Sequence, residues 1–101
     1  MVSARMSVWK FKRGMREKGF NMLEESVADA ARKTKGYRGS VTLLSTDDPD
    51  SGIIITLWES EETLKASGKG VFQDTVKKME QFVASPPDVK NYKVDGAELL
   101  L

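Results

Sequence analysis

The most informative pattern in the chain is a strand that is apolar on both of its faces. Side chains alternate between the faces of a strand, so the run GIIITLW from Gly52 to Trp58 sends large apolar residues to both sides. The segment from Val2 to Phe11 has the same property. Helices in a small domain cover one face of a sheet. The pattern therefore predicts two central strands whose second face needs another cover.

Helical spacing appears in two parts of the chain. Between Met15 and Lys35 a stripe of residues three or four positions apart predicts one helix: Phe20, Leu23, Val27, Ala30 and Thr34. Ser60 is a good N-cap for a short helix that is broken at Gly68 to Gly70. A longer helix with Phe72, Val76, Met79 and Val83 on one stripe must end before Pro86.

The remaining segments complete the order strand, helix, strand, strand, helix, strand. A second strand, SVTLLST, joins the third through the turn DDPDSG, and VKNYKV forms the last strand. This order predicts an α+β, ferredoxin-like βαββαβ fold with a four-stranded antiparallel sheet, in which the first and third strands are central. We expect residues 1–101 to form a single domain.

The open face of such a sheet predicts a homodimer. Four strands present about 330 Å² per chain, which reaches the size of the largest apolar patch on a typical monomer. A second copy packed sheet against sheet would cover this area by twofold symmetry. The alternation leaves open which set of side chains faces the partner, so the dimer-face candidates come from both sets: Met6, Val8, Ile54 and Ile55.

Composition removes several kinds of chemistry. The chain has no cysteine and no histidine, which excludes thiolate nucleophiles and the usual general base. A formal charge of +1 does not favour nucleic acid, and the N-terminus lacks the apolar run of a signal peptide or membrane span. We therefore expect a cytoplasmic protein without a metal site. The three aspartates of the hairpin, Asp47, Asp48 and Asp50, indicate a solvated turn.

Four motifs in a fixed order point to a known family. They are KRG before the first helix, KGYRGSVTLLSTDDPDSG across the hairpin, LWESEETLKA at the second helical region, and GVF. In these motifs the chain resembles the antibiotic biosynthesis monooxygenases, a family of dimeric α/β barrels. The resemblance covers nearly the whole chain. It implies a homodimer with its sheets face to face and a pocket in each protomer between sheet and helices.

The resemblance also implies that the chain does not use heme or another cofactor. In the heme-degrading branch of the family the pocket carries an asparagine, a tryptophan and a histidine ligand. The corresponding positions here are Ser7, Ala66 or Ser67, and Val76. All three residue types are replaced, so binding of heme in that manner is not expected.

The pocket implied by the family has five candidate residues and no assigned catalytic residue. The candidates are Ser7, Trp9, Trp58, Phe72 and Val76. Trp58 either closes the sheet edge or contacts substrate, and Trp9 either lines the pocket or fills it as core. The specific hypothesis is a cofactor-independent monooxygenase acting on a small aromatic or polyketide-like molecule. The alternative is a non-catalytic ligand-binding or structural dimeric module.

Overall fold

The structure is a computed structural model, and it describes the backbone of all 101 residues and the side chains of all but Ser26 and Val27. Val27, a member of the predicted helical stripe, thus lies outside the described side chains. The elements in chain order are β1 (Ser3–Lys10), α1 (Arg16–Met22), a π-helical segment (Leu23–Val27), α2 (Ala28–Arg32), β2 (Tyr37–Leu44), β3 (Ser51–Trp58), α3 (Glu61–Gly68), α4 (Val71–Met79) and β4 (Asp88–Lys93).

The four strands form one antiparallel sheet in the order β2-β3-β1-β4. The predicted α+β, ferredoxin-like fold is therefore confirmed, with β1 and β3 as the central pair. Helices lie on one face of the sheet and contact β1, β2 and β3. None of the described helices is long and apolar enough to cross a bilayer.

The register of β1 against β3 decides which side chains face the helices. Ser7 lies opposite Ile54, and Met6 lies opposite Ile55. Directly opposed residues of an antiparallel pair project to the same face. Ser7 is buried under the helices, so Ile54 shares that covered face. The inclusion of Ile54 among the dimer-face candidates is thereby corrected, and Met6, Val8 and Ile55 remain on the open face.

The open face carries apolar residues on all four strands, with the charged residues Asp88 and Lys90 at the β4 edge. It includes residues from both edge strands as well as from the central pair: Ala4, Met6, Val8, Val41, Leu43, Ile53, Ile55, Leu57 and Tyr92. Four of these, Val8, Val41, Leu43 and Tyr92, are large and solvent-exposed in the single chain. The sequence pattern predicted a second apolar face that needs a cover, and its residues lie together on this surface.

The core lies at one end of the sheet, between β1 and the helices. Its buried cluster consists of Trp9, Phe11, Phe20, Leu23 and Met79. The rings of Phe11 and Phe20 meet edge to face with centroids 4.9 Å apart. Gly19 permits this packing, because a Cβ atom there would lie 2.4 Å from the Phe11 ring.

Two helical predictions differ in detail from the structure. The helix expected between Met15 and Lys35 is interrupted by the π-helical segment and ends at Arg32. The last helix ends at Met79, before the predicted Val83. Val83 instead forms an isolated β-bridge with Phe11, and the Lys12 N–H donates to the Phe82 carbonyl at 2.8 Å. Pairing with the end of β1 satisfies backbone groups that a longer helix would have satisfied internally.

The predicted N-cap at Ser60 is present. Its hydroxyl accepts from the Thr63 N–H at 3.2 Å, and the Thr63 hydroxyl accepts from the Ser60 N–H at 3.1 Å. This reciprocal pair satisfies two donors at the start of α3.

Asp48 organises the turn between β2 and β3. Its carboxylate accepts from the Asp50 N–H at 2.9 Å and the Ser51 hydroxyl at 2.7 Å, and it forms an ion pair with Lys10. The hydrogen bond from Lys10, followed by those from the turn, holds the pKa of Asp48 well below its ordinary value. The aspartates of this turn therefore stabilise a hairpin, as the sequence indicated.

The lowered pKa of Asp48 predicts a specific acid sensitivity. A depressed folded-state pKa contributes stability that is present above the ordinary aspartate pKa and lost as the pH falls towards the folded-state value. Thermal melting of the wild type and Asp48→Asn should differ near neutral pH and converge between about pH 4 and pH 2. Asp47→Asn is the matched control and should follow the wild type throughout. A constant difference between wild type and Asp48→Asn at all pH values would contradict this assignment.

Candidate functional site

A cavity of about 110 Å³ lies between the sheet and the helices. Its floor is formed by the covered face of three strands, with Arg5, Ser7 and Trp9 from β1, Tyr37, Ser40 and Thr42 from β2, and Ile54, Thr56 and Trp58 from β3. Its roof is formed by the helical elements, with Phe20, Leu23, Glu24, Ala28, Ala31, Val71, Phe72 and Thr75. An apolar cavity of about 150 Å³ holds a benzene ring in another protein, so this cavity has the scale of a small aromatic group.

The cavity opens to solvent between β2 and the helices opposite it. Ser40, Thr42 and Glu24 line it and are exposed, whereas Arg5, Ser7 and Trp9 line it and are buried. Ala28 and Ala31 lie at the same side and are half-buried. The described side chains at this side are thus small, and a ligand entering over β2 would reach β1 last.

Ser7 and Trp9 form a closed hydrogen-bond network on the floor. The Trp9 Nε1–H donates to the Ser7 hydroxyl at 2.8 Å, and the Ser7 hydroxyl donates to the Ile54 carbonyl at 3.3 Å. Both side chains are buried. The network fixes the indole against the core and leaves Ser7 with only acceptor capacity towards a ligand.

Trp58 is held in a similar way at the other end of the floor. Its Nε1–H donates to the Thr56 hydroxyl at 2.9 Å, and its ring meets Tyr37 edge to face with centroids 5.5 Å apart. Trp58 is buried, yet it also lines the cavity. The two roles considered for this residue, closing the sheet and facing the pocket, are thus compatible in one position.

Arg5 is the buried charge of the cavity. Only 5% of its surface is exposed, and one Nη2–H donates to the Leu64 carbonyl of α3 at 2.7 Å. Its guanidinium carbon lies 4.5 Å from the ring centroid of Phe72 and 6.0 Å from that of Trp58. Burial lowers the pKa of Arg5 from its ordinary value, although an arginine remains charged in a protein.

Four of the five predicted pocket residues line the cavity, and one does not. Ser7, Trp9, Trp58 and Phe72 surround the same space. Val76 packs against the core cluster instead. On α4 the cavity is lined by Val71, Phe72 and Thr75, whereas Val76, one turn after Phe72 on the same face, contacts the core cluster only.

The sequence interpretation missed Arg5, the residue with the most distinctive chemistry. Arg5 has the same parity as Ser7, Trp9 and Phe11 on β1, so a charged residue on an otherwise covered face was the available signal. The hydroxyls of Ser40, Thr42 and Thr56 were also missed. Their relation to the cavity depends on the register of β2 against β3, which the sequence pattern does not fix.

The lining offers little conventional acid or base chemistry. Its titratable side chains are Arg5, Glu24 and Tyr37, and only Arg5 is buried. Among the described residues no group of three or more carboxylate, thiol or imidazole side chains is placed to hold a metal ion. The cavity can therefore enclose and orient an apolar ligand, and it presents one cation to it.

Several solved structures share this fold over nearly the full chain. A protein of Chloroflexus aurantiacus, provisionally described as an antibiotic biosynthesis monooxygenase, is 21% identical with a TM-score of 0.75, covering 97% of both chains. A monooxygenase of Streptomyces coelicolor in complex with nanaomycin D is 15% identical with a TM-score of 0.80, covering 98% of this chain and 92% of the other. No family model and no curated protein matches the sequence.

A third similar structure is SnoaB, a cofactor-independent oxygenase of Streptomyces nogalater. It is 10% identical with a TM-score of 0.77, and 95% of each chain is covered. At these identities the likeness establishes the fold. The fold is that of the antibiotic biosynthesis monooxygenases, as the sequence motifs indicated.

The Ser7–Trp9 network predicts a coupled effect on stability. Ser7→Ala should lower the free energy of unfolding by about 1–3 kcal/mol, because the buried Trp9 Nε1–H loses its acceptor. In a Trp9→Phe background, which has no such donor, Ser7→Ala should have a much smaller effect. Urea unfolding of the four proteins measures the coupling as a double-mutant cycle. Additive effects would show that the hydrogen bond contributes nothing to stability.

Proposed function

We propose that the protein is a cofactor-independent monooxygenase that encloses a small aromatic or polyketide-like substrate in the cavity between sheet and helices. The observation that carries the proposal is the cavity itself. It is lined by Trp9, Trp58 and Phe72, and hydroxyl groups line it at both floor and mouth. One protein with the same fold, SnoaB, is a cofactor-independent oxygenase, and another is a monooxygenase in complex with nanaomycin D.

The composition of the cavity suits an oxidation in which the substrate itself supplies the electrons that reduce oxygen. An electron-rich anthrone can react with oxygen so that its methylene becomes a carbonyl, with one oxygen atom retained and the other released as water. The two hydrogens of the methylene leave in that water, and the substrate is the reductant. The protein then needs to exclude solvent, orient the ring and favour the ionised substrate.

Simple binding without turnover is a second candidate function, and one observation favours it. Ser7 stands at the position that corresponds to the family's asparagine. Its hydroxyl already donates to the Ile54 carbonyl and accepts from the Trp9 Nε1–H. It is therefore not free to donate a hydrogen bond to a substrate oxygen. A protein of this kind would retain an aromatic ligand without consuming oxygen.

We further propose that two chains pack with their open sheet faces together. Apolar side chains of this face lie on all four strands, and those of Val8, Val41, Leu43 and Tyr92, which include both edge strands, are exposed. A second copy provides a surface of matching shape and chemistry by twofold symmetry. The cavity is on the opposite side of the sheet, so this dimer would leave the mouth over β2 accessible.

Oxygen uptake tests the proposed activity. Wild-type protein supplied with an anthrone should consume oxygen and form the corresponding carbonyl product. Ala31→Phe should reduce this rate by roughly tenfold or more, because a ring at the mouth obstructs substrate positioning. Ala30→Phe is the matched control, since Ala30 is an exposed residue of the same helix that does not line the cavity. It should retain the wild-type rate.

Two results would contradict the monooxygenase proposal. One is the absence of oxygen uptake by the wild type with both anthrone and dihydroxyaromatic probes. The other is an equal rate in the Ala31→Phe and Ala30→Phe proteins, which would place the reaction outside the cavity. Retention of an unreacted probe by the wild type would favour the binding function instead.

The dimer can be tested with a matched pair of valines. Val41 and Val89 are both on edge strands and both 37% exposed, but Val41 is on the open face and Val89 is on the face shared with Ser7. Sedimentation at micromolar concentration should show a dimer for the wild type and Val89→Glu, and a folded monomer for Val41→Glu. A monomeric wild type, or equal behaviour of the two variants, would contradict the proposed interface.

A further inference from the structure

We propose that the cavity binds aromatic anions, with the guanidinium of Arg5 contacting a carboxylate or phenolate oxygen on the ligand. This inference rests on the ligand-binding cavity of the proposed function and specifies the class of ligand. It does not require that the ligand be oxidised. The evidence is the position, burial and incomplete pairing of the Arg5 side chain.

Arg5 has no anionic partner in the part of the chain that the structure describes. The ion pairs among those residues are Lys10 with Asp48, Lys33 with Asp29, and Lys65 with Glu61, and each lies on the surface. Among the described residues Glu24 is the only carboxylate that lines the cavity, and it is exposed at the mouth and forms no ion pair with the guanidinium. A buried charge without a counter-ion is strongly disfavoured. The site is therefore electrostatically incomplete.

The hydrogen bonding of the Arg5 guanidinium is also incomplete. A guanidinium has five N–H donors, and the described residues supply Arg5 with one acceptor, the Leu64 carbonyl. No described side-chain nitrogen is sealed from solvent without a partner, so the remaining donors retain access to the cavity. A carboxylate or phenolate oxygen is the acceptor that matches a charged donor most strongly.

The surrounding rings favour an anion carried on an aromatic group. The guanidinium lies over the ring of Phe72 and near that of Trp58, and both rings line the same cavity. A ligand ring packed among these side chains would place a substituent oxygen at Arg5, at the end of the cavity furthest from the mouth. The 110 Å³ volume limits the enclosed part to about one ring, so a larger ligand would extend out through the mouth.

Arg5 also has a structural contact that the test must separate from ligand binding. Its bond to Leu64 joins β1 to the middle of α3, at a carbonyl that also accepts from the Ser67 hydroxyl at 2.6 Å. Removal of the guanidinium is thus expected to affect stability. The test therefore compares ligands that differ only in charge, because a purely structural role would weaken binding of both equally.

Calorimetric titration with benzoate and with benzamide, its neutral analogue, provides this comparison. The wild type should bind benzoate more tightly than benzamide. Arg5→Met should weaken benzoate binding by roughly tenfold to hundredfold, the range for one hydrogen bond to a charged group, with a small effect on benzamide. Arg38→Met is the matched control, because Arg38 is an exposed arginine outside the cavity. It should leave both affinities unchanged.

A phenol whose absorbance changes when it ionises distinguishes phenolate from carboxylate ligands. Para-nitrophenol absorbs differently as the phenol and the phenolate, so its pKa when bound can be read from a pH titration. Binding beside Arg5 should lower that pKa, and Arg5→Met should abolish the shift. Arg5→Lys retains the charge and should preserve part of the shift if the fold is intact. A lowered para-nitrophenol pKa without a preference for benzoate would identify the ligand as a phenolate. A preference for benzoate without a change in the para-nitrophenol pKa would identify it as a carboxylate.

Several outcomes would overturn the inference. They are equal binding of benzoate and benzamide together with an unshifted para-nitrophenol pKa, an unchanged preference in Arg5→Met, or no binding of any anion by the wild type. These measurements need no oxygen and no turnover. Arg5-dependent anion binding without oxygen uptake would reject the monooxygenase and keep the inference. Oxygen uptake by the wild type without Arg5-dependent anion binding would reject the inference and keep the monooxygenase.

Discussion

The pairing of β1 with β3 is the constraint on which the rest of the structure depends. A single register, with Ser7 opposite Ile54, sends Arg5, Ser7 and Trp9 to the helices and Met6 and Val8 to the open face. A shift of one residue would exchange these sets. It would place an arginine and a serine on the open apolar face and leave Val8 under the helices. The register of β1 against β3 thus decides which side chains form the cavity floor and which form the open face.

The same register explains why the cavity exists beside a well-packed core. Towards the Phe11 end of β1 the covered face carries large rings, and these close on Phe20 and Met79. Towards the Arg5 end, β2 and β3 contribute Ser40, Thr42 and Thr56, which are too small to reach the helices. Space therefore remains over the hydroxyl-bearing half of the sheet. Trp9 lies at the boundary and belongs to both regions.

The order of elements could be predicted from the sequence because apolar periodicity and turn residues agreed. The cap at Ser60 and the bonds from Asp50 and Ser51 to Asp48 join residues close in the chain. The end of the last helix could not be predicted this way. Met79 is followed by residues that would continue a helix, but their backbone pairs with the end of β1, a contact about seventy residues away in sequence.

The candidate site was less predictable because it depends on register and on the roof. Periodicity identified both apolar faces of β3 but not which of Ile54 and Ile55 lies under the helices. The contributions of Leu23 and Glu24 depend on the π-helical segment, which has no clear signal in the sequence. Family spacing located Ser7 and Phe72 within the cavity. It misplaced Val76, which shares a helix face with Phe72 but lies one turn further along, against the core cluster.

Arg5 connects the chemistry of the cavity to the packing of the fold. It is on a central strand, its guanidinium is bonded to α3 and lies over Phe72 of α4, and its remaining donors have access to the cavity. The Leu64 carbonyl and the Phe72 ring are local partners for the cation, but neither carries a negative charge. An anionic ligand would supply the missing charge, and its binding would also strengthen the contact between the sheet and the two helices that enclose it.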